Sequence, residues 1–311
     1  MLDKRAVLLA KDEVTYNTDS VPVVGTNAVL IEDLTWAFAS VRMNQRNPVR
    51  ASLGKLKPVY AGALLSVKGK CEIKGSGAAG TAPEISPLLR ASGWAETVVG
   101  ATSVTYKPSS SQSVHKSSSM YFYDDGLLLK LTGARGKCSF DFSVGKPAMV
   151  DFDFTGHFVS VTDVALPAAT YSSVVPPVIV NMPFTVGAYA AVINKLAFDL
   201  GVELSIPESV SAADGYGESQ ITGRMPTGSF NPLRVTVATK NFISDWQSGA
   251  ALAVDTGLLG APAGNRIQVT MPAITYTDVA RGNQNNVGTY ENKFHAAETS
   301  AGDDEISMVF T

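Results

Sequence analysis

Apolar and polar residues alternate along much of this chain. Leu196, Phe198, Leu200, Val202, Leu204 and Ile206 fall on one side of an extended segment, and Asp199, Glu203 and Ser205 on the other. That two-residue period is the mark of a half-buried strand. Leu65, Val67, Cys71 and Ile73 oppose Ser66, Lys68, Lys70, Glu72 and Lys74 in the same way. Cys138, Phe140, Phe142 and Val144 lead through Gly145-Lys146-Pro147 to Val150, Phe152 and Phe154, which reads as a hairpin. A second hairpin is predicted where Asp125-Gly126, suited to a tight primed turn, joins Met120–Tyr123 to Leu127–Leu131. Further strands are expected at Leu34–Val41, Ala63–Lys74, Leu233–Val237, Ile267–Met271, around Phe294 and at Ile306–Phe310. Strands with one apolar and one polar face belong to antiparallel sheets.

Helical signals are few. Ser86-Pro87 opens a short segment with an N-cap and a first-turn proline, and Gly93 closes it. Asn241 to Gly249 repeats that grammar, with Phe242 and Trp246 four residues apart on one face. Between these lies LPAATYSSVVPPVIVNMP, residues 166–183, which has no alternation and reads as a seam. Long strands, then a short helix, then closing strands occur in the same order on both sides of it. The expected fold is therefore mainly β: two tandem antiparallel β-sandwich or barrel domains, each with a short flanking α-helix. Their bounds are 1–166 and 184–311, joined by a linker at 167–183.

Composition adds one point about surfaces. With 45% hydrophobic and only 17% charged residues, the chain has ample core and a surface that expects to be covered. A net charge of −3 gives no general pull toward DNA or anionic membrane. No apolar run reaches the ~20 residues of a membrane span, and the opening MLDKRAVLLAKDE is too short for a signal-peptide core; synthesis in the cytoplasm is expected. Cys71 and Cys138 each fall on an apolar strand face and are predicted to be buried free thiols.

Candidate chemistry is sparse. Gly75-Ser76-Gly77-Ala78-Ala79-Gly80 satisfies G-x-G-x-x-G, yet the strand before it alternates with lysines. Pro83 and Pro87 interrupt the helix that a dinucleotide site needs. It reads as a flexible loop. His115, His157 and His295 lack metal spacing and read as solvated or incidental; no serine sits in a nucleophile elbow. Asp151 and Asp153 share a strand face, which reads as its polar side in preference to an acid–base pair or cation site. Asp303, Asp304 and Glu305 read as a solvated or lumen-facing acidic turn. Arg42, Arg46, Arg50, Lys55 and Lys57 lie in an acid-free segment, 42–58. It reads as a long loop that meets acidic surface on a neighbouring subunit, since no aromatic is interleaved for base stacking. No catalytic residue, cofactor or metal is predicted.

Two segments carry a family resemblance. KPVYAGALLSVKGKCEIKGSGAAGTAPEISPLLRASGWAETV, residues 57–98, and LLLKLTGARGKCSFDFSVGKPAMVDFDFTG, residues 127–156, resemble the major tail tube proteins of long-tailed bacteriophages in order and spacing. The resemblance covers about the first half; the second half matches only in its order of elements. It implies a virion structural protein, not an enzyme, whose β-domains pair edge to edge into rings that stack into a tube for DNA. It also implies contacts with tail terminator, tape measure and distal tail proteins, non-specific passage of DNA, and no membrane insertion. Most members supply one domain per chain to a hexameric ring; two domains here predict a trimer with pseudo-sixfold symmetry. Competing readings are another virion β-protein (tail terminator or decoration protein), a nucleotide-binding enzyme using Gly75–Gly80, and a carbohydrate-binding module.

Overall fold

The computed structural model describes residues 5–311, which form nineteen strands and two short helices. Short strands β1 (Ala6–Asp12) and β2 (Ala28–Val29) precede the long pair β3 (Glu32–Arg46) and β4 (Leu56–Glu72). Helix α1 (Ser86–Ala91) follows, then the hairpin β5 (Trp94–Val99) and β6 (Ser103–Pro108), then β7 (Ser118–Asp124), β8 (Leu127–Ser143) and β9 (Met149–Asp163). Beyond the seam come β10 (Thr185–Val186), β11 (Tyr189–Ala190), β12 (Ile193–Asp199), β13 (Val202–Ser205), β14 (Gln220–Arg224) and β15 (Thr227–Pro232). Helix α2 (Phe242–Ser248), β16 (Leu252–Asp255), β17 (Ile267–Gln284), β18 (Val287–Ala296) and β19 (Ser307–Phe310) complete the chain.

Eight of these strands form one continuous antiparallel sheet in the order β3-β4-β9-β8-β12-β15-β18-β17. The alternation seen in the sequence gives it two faces. One inner row runs Cys71, Val150, Phe140, Phe198, Gly228, Phe294, Tyr276 across seven strands, and its side chains are buried. Gly228 is required there because the Phe294 ring fills its side-chain space: a Cβ would lie 2.3 Å from Phe294 Cζ. Phe140 and Phe198 stack at 4.6 Å between centroids. Trp94 meets Phe140 edge-on and donates its indole N–H to Cys138 Sγ at 3.1 Å. Both cysteines are free and buried, as their strand positions predict, and burial pushes the Cys138 thiol up to about 12.

Both predicted hairpins form. Asp125 and Gly126 take φ of 33° and 118° between β7 and β8, and β8 returns as β9 around Gly145. Helix α2 is capped as expected, with Asn241 Oδ1 accepting from Ser244 N at 3.0 Å and Gly249 in the left-handed region. At α1 the cap differs: Ile85 is the N-cap with no side-chain bond, and Ser86 donates to Glu96. The expected strand Leu196–Ile206 breaks into two, in different sheets. Asp199 accepts from Gly201 N at 2.7 Å, and Gly201 turns the chain at φ 63° against the Met225 carbonyl. Leu233–Val237 is not a strand; the ladder ends at Pro232, and only Leu233 bridges to Thr289. Residues 167–183 carry no strand, only the isolated bridge Pro147–Val178. Two ladders nonetheless join the flanking regions: β8 pairs β12, and β6 pairs β19.

Candidate assembly interface

The outer face of the eight-stranded sheet is a carpet of interleaved charge. One row runs Glu32, Lys70, Asp151, Ser139, Asp199, Thr227, His295, Thr275 through all eight strands. Lysines and carboxylates pair across strands: Lys68–Asp153 at 2.7 Å, Lys195–Asp141 at 3.0 Å, Lys293–Asp278 at 3.3 Å and Lys70–Asp151 at 3.7 Å. Such half-exposed pairs add little stability. What they create is a wide polar surface on which paired charges of both signs alternate with hydroxyl side chains. Asp151 and Asp153 thus sit on the strand's polar face, each beside a lysine.

The edges of this sheet are open. Strand β3 pairs only with β4, and none of its fifteen residues is buried. At the far end, β16 covers β17 only up to Ile274, and beyond that β17 pairs on one side only, with β18. Unpaired backbone along a long strand is a template for another strand.

Strands β3 and β4 also run past the body as an arm. The segment 42–58 is thus not a long loop: Arg42 and Arg46 lie in β3, Lys57 in β4, and only 47–55 form the tip, with Arg50 and Lys55. Cross-strand pairing stays in place there because its main-chain ladder, though bulged, continues to Arg46–Leu56. The tip bares Val49 and Leu53 entirely, with Met43, Val59 and Tyr60 about half exposed. Arg42 is spent within the chain, over the Tyr216 ring at 3.8 Å and against Glu208 at 3.0 Å. Arg50 bonds the Gly54 carbonyl, whereas Arg46, Lys55 and Lys57 have no ion pair among the described residues.

The acidic turn is not simply solvated. Arg224 grips it, with Nε on Glu305 Oε1 at 2.8 Å and Nη2 on Asp303, and Glu305 is buried. Asp304 accepts from Thr299 N and Oγ1. Burial draws the Asp303 carboxyl upward, but bonds from Ser110 and Arg224 outweigh it and hold the group below its ordinary 3.8; Thr299 does the same for Asp304. A carboxyl with a depressed folded value stabilises the fold above its unfolded value, about 3.9. That contribution is lost as pH falls through the lower folded value. Urea midpoints should therefore drop below about pH 4, and Asp303→Asn should flatten that slope; an unchanged slope would refute the assignment.

The Gly75–Gly80 loop is packed, not flexible. Gly75 N donates to Asn265 Oδ1 at 2.8 Å and Gly77 N to the Gly264 carbonyl at 3.0 Å, and a Cβ on Gly75 would lie 2.0 Å from Gly264 O. Its glycines serve close approach between distant chain segments, and no helix starts at its end. Two histidines are buried as well. His157 accepts from Tyr16 at 3.0 Å and donates Nδ1–H to Asp214 at 2.7 Å. Beside it, Glu13 accepts from Asn17 N, Ser117, Ser119 and Gly133 N, four donors that saturate a buried carboxylate. Arg135 bonds the carbonyls of His115, Lys116 and Ser219. This knot ties residues 208–219 to the arm's base, where Tyr216 donates to the Ser40 carbonyl and Gly62 abuts the Asp214 carbonyl. Sequence reading missed it, because most of its bonds join residues 19 to 141 positions apart and carry no motif.

Among the described residues no group of three or more His, Cys, Asp or Glu is placed to hold a metal, and no helix is long and apolar enough to cross a membrane. No family model matches the chain, and no curated protein matches it either.

Proposed function

We propose that this chain is a self-assembling tube subunit, a major tail tube protein of a long-tailed phage, built as two tandem tube domains. One observation carries the reading. The sheet takes four strands from each side of the seam in the same order, β3-β4-β9-β8 and then β12-β15-β18-β17, with a helix between the second and third strand of each set. The satellites repeat as well: β2-β1-β7 flanks β8 as β11-β10-β16 flanks β17. In that correspondence β12 stands for β3 and β17 for β8. The junction β8–β12 inside the chain is then the template for a junction of β17 with β3 of the next copy, and those are the two edges left open.

Strand direction favours the same closure. Eight antiparallel strands begin and end in opposite senses, so head-to-tail repetition keeps every pair antiparallel around a ring. Three copies give a barrel of about 24 strands, well beyond the roughly 16–18 that already leave an aqueous channel. The apolar rows then pack outward against the satellite strands and helices, and the mixed-charge carpet faces the lumen. DNA passes such a wall without sticking, since Lys68, Lys70, Lys195 and Lys293 are already paired with carboxylates and few counterions would be released. The resemblance of residues 57–98 and 127–156 to tail tube proteins, which implies a place in the virion tail, supports the same reading.

Electron microscopy of the purified chain tests it. Long uniform tubes with three chains per ring are expected. Six chains per ring would end the duplicated-domain scheme; discrete rings that never elongate would favour a tail terminator, and a persistent monomer at high concentration would end the reading.

A further inference from the structure

A cleft of about 450 Å3 opens between the Ser109–His115 loop, β14 and the residues around the acidic turn. Its wall holds an incomplete carboxylate. Glu305 is more than nine-tenths buried; its Oε1 takes the Arg224 Nε bond, but no donor reaches Oε2. His295 lines the same cleft, with its Nδ1–H spent on the Pro226 carbonyl at 2.9 Å. No free positive charge competes inside. Arg224 is committed to Glu305, Asp303 and Ser110, and the His115 ring, its pKa lowered by burial, is taken up by the Ser109 carbonyl and Gln112 Oε1. Glu298, on the cleft wall, adds another carboxylate. The cleft therefore presents acceptors without matching donors.

We propose that this cleft is a socket for a cationic side chain, filled by a basic residue from the arm tip of a second copy. The inference rests on the self-assembly reading and names which surfaces would meet. Charge complementarity points to the arm: segment 42–58 carries five basic residues and no acid, and Arg46, Lys55 and Lys57 have no ion pair among the described residues. Fully bared Val49 and Leu53 flank those cations, so the tip brings apolar area as well as charge. A guanidinium or ammonium group entering the cleft would give Glu305 Oε2 its missing donor in a site screened from salt.

The test uses the full-length chain with its own arm neutralised (Arg46→Gln, Arg50→Gln, Lys55→Gln, Lys57→Gln) and a synthetic peptide of residues 45–58 as the probe. Calorimetric titration at low ionic strength is expected to show one peptide per chain. Glu305→Gln in the chain, or glutamine at all basic positions of the peptide, is expected to weaken binding by about tenfold or more. Absence of binding, or binding indifferent to Glu305→Gln, overturns the socket. Should that substitution unfold the chain, hydrogen exchange decides: the peptide is expected to slow amides between 295 and 305, and no slowing there also overturns it. Tube formation by the parent chain is read separately by microscopy. Tubes without peptide capture would reject the socket alone, and capture without tubes would reject the tube reading alone.

Discussion

Of the two variants Ala280→Pro and Arg281→Pro, one is expected to stay as stable as the parent yet form no tubes. Successive residues of a strand turn their N–H groups to opposite edges, so only one of these adjacent amides serves the ladder with β18. Ala280 lies opposite Glu291 and Arg281 opposite Tyr290 in that ladder. Proline on the amide that faces β18 removes an internal hydrogen bond and lowers stability. Proline on the other amide removes a donor that nothing in the chain uses, which an edge strand tolerates. If β17 of one copy pairs with β3 of the next, that second substitution interrupts the intersubunit ladder. Assembly should then vanish over at least a hundredfold range of protein concentration, equivalent to about 2.7 kcal/mol or more per junction. Thermal melting and light scattering together report the split. Tubes from both variants at the parent's threshold would place the intersubunit contact elsewhere.

The second large effect is expected at the intrachain junction. Phe140 and Phe198 face each other in register across β8 and β12, both about 2% exposed, with ring planes 13° apart. Phe198→Ala removes a full ring from a core that also includes Phe142 and Trp94, and is expected to cost about 3–5 kcal/mol. The matched double variant with Phe140→Ala should recover about 0.5–1.5 kcal/mol of coupling, the part owed to the stacked pair itself. Urea unfolding measures both. Because the pair bridges the seam, the loss should appear in the whole unfolding transition. A change below about 1 kcal/mol would mean that the halves do not depend on this junction.

The two junctions separate what was legible in the sequence from what was not. Cys71, Val150, Phe140 and Phe198 of the inner row stood out by their period, and so did the faces they share, because strand periodicity is a local property of the chain. The glycine turn at Asp125-Gly126 and the capped helix at Asn241 were legible for the same reason. Gly201 was not: an apolar pattern continues through Leu200 and Val202, and only the Met225 backbone pressing on Gly201 shows that the chain must turn there. Nor was the end of the arm, since exposed strand and loop have similar compositions when no face is buried.

Local sequence therefore determined the β-class, the faces, the turns and the buried thiols. Tertiary structure alone decided the order in which strands join, which edges stay open, and where buried charge collects, as at Glu13, His157 and Glu305. The physical reason is that side-chain alternation is fixed by the backbone of each strand. A strand's neighbour is instead chosen by contacts between residues far apart, such as Phe140 with Phe198 or Arg224 with Glu305, and neither partner signals the other along the chain.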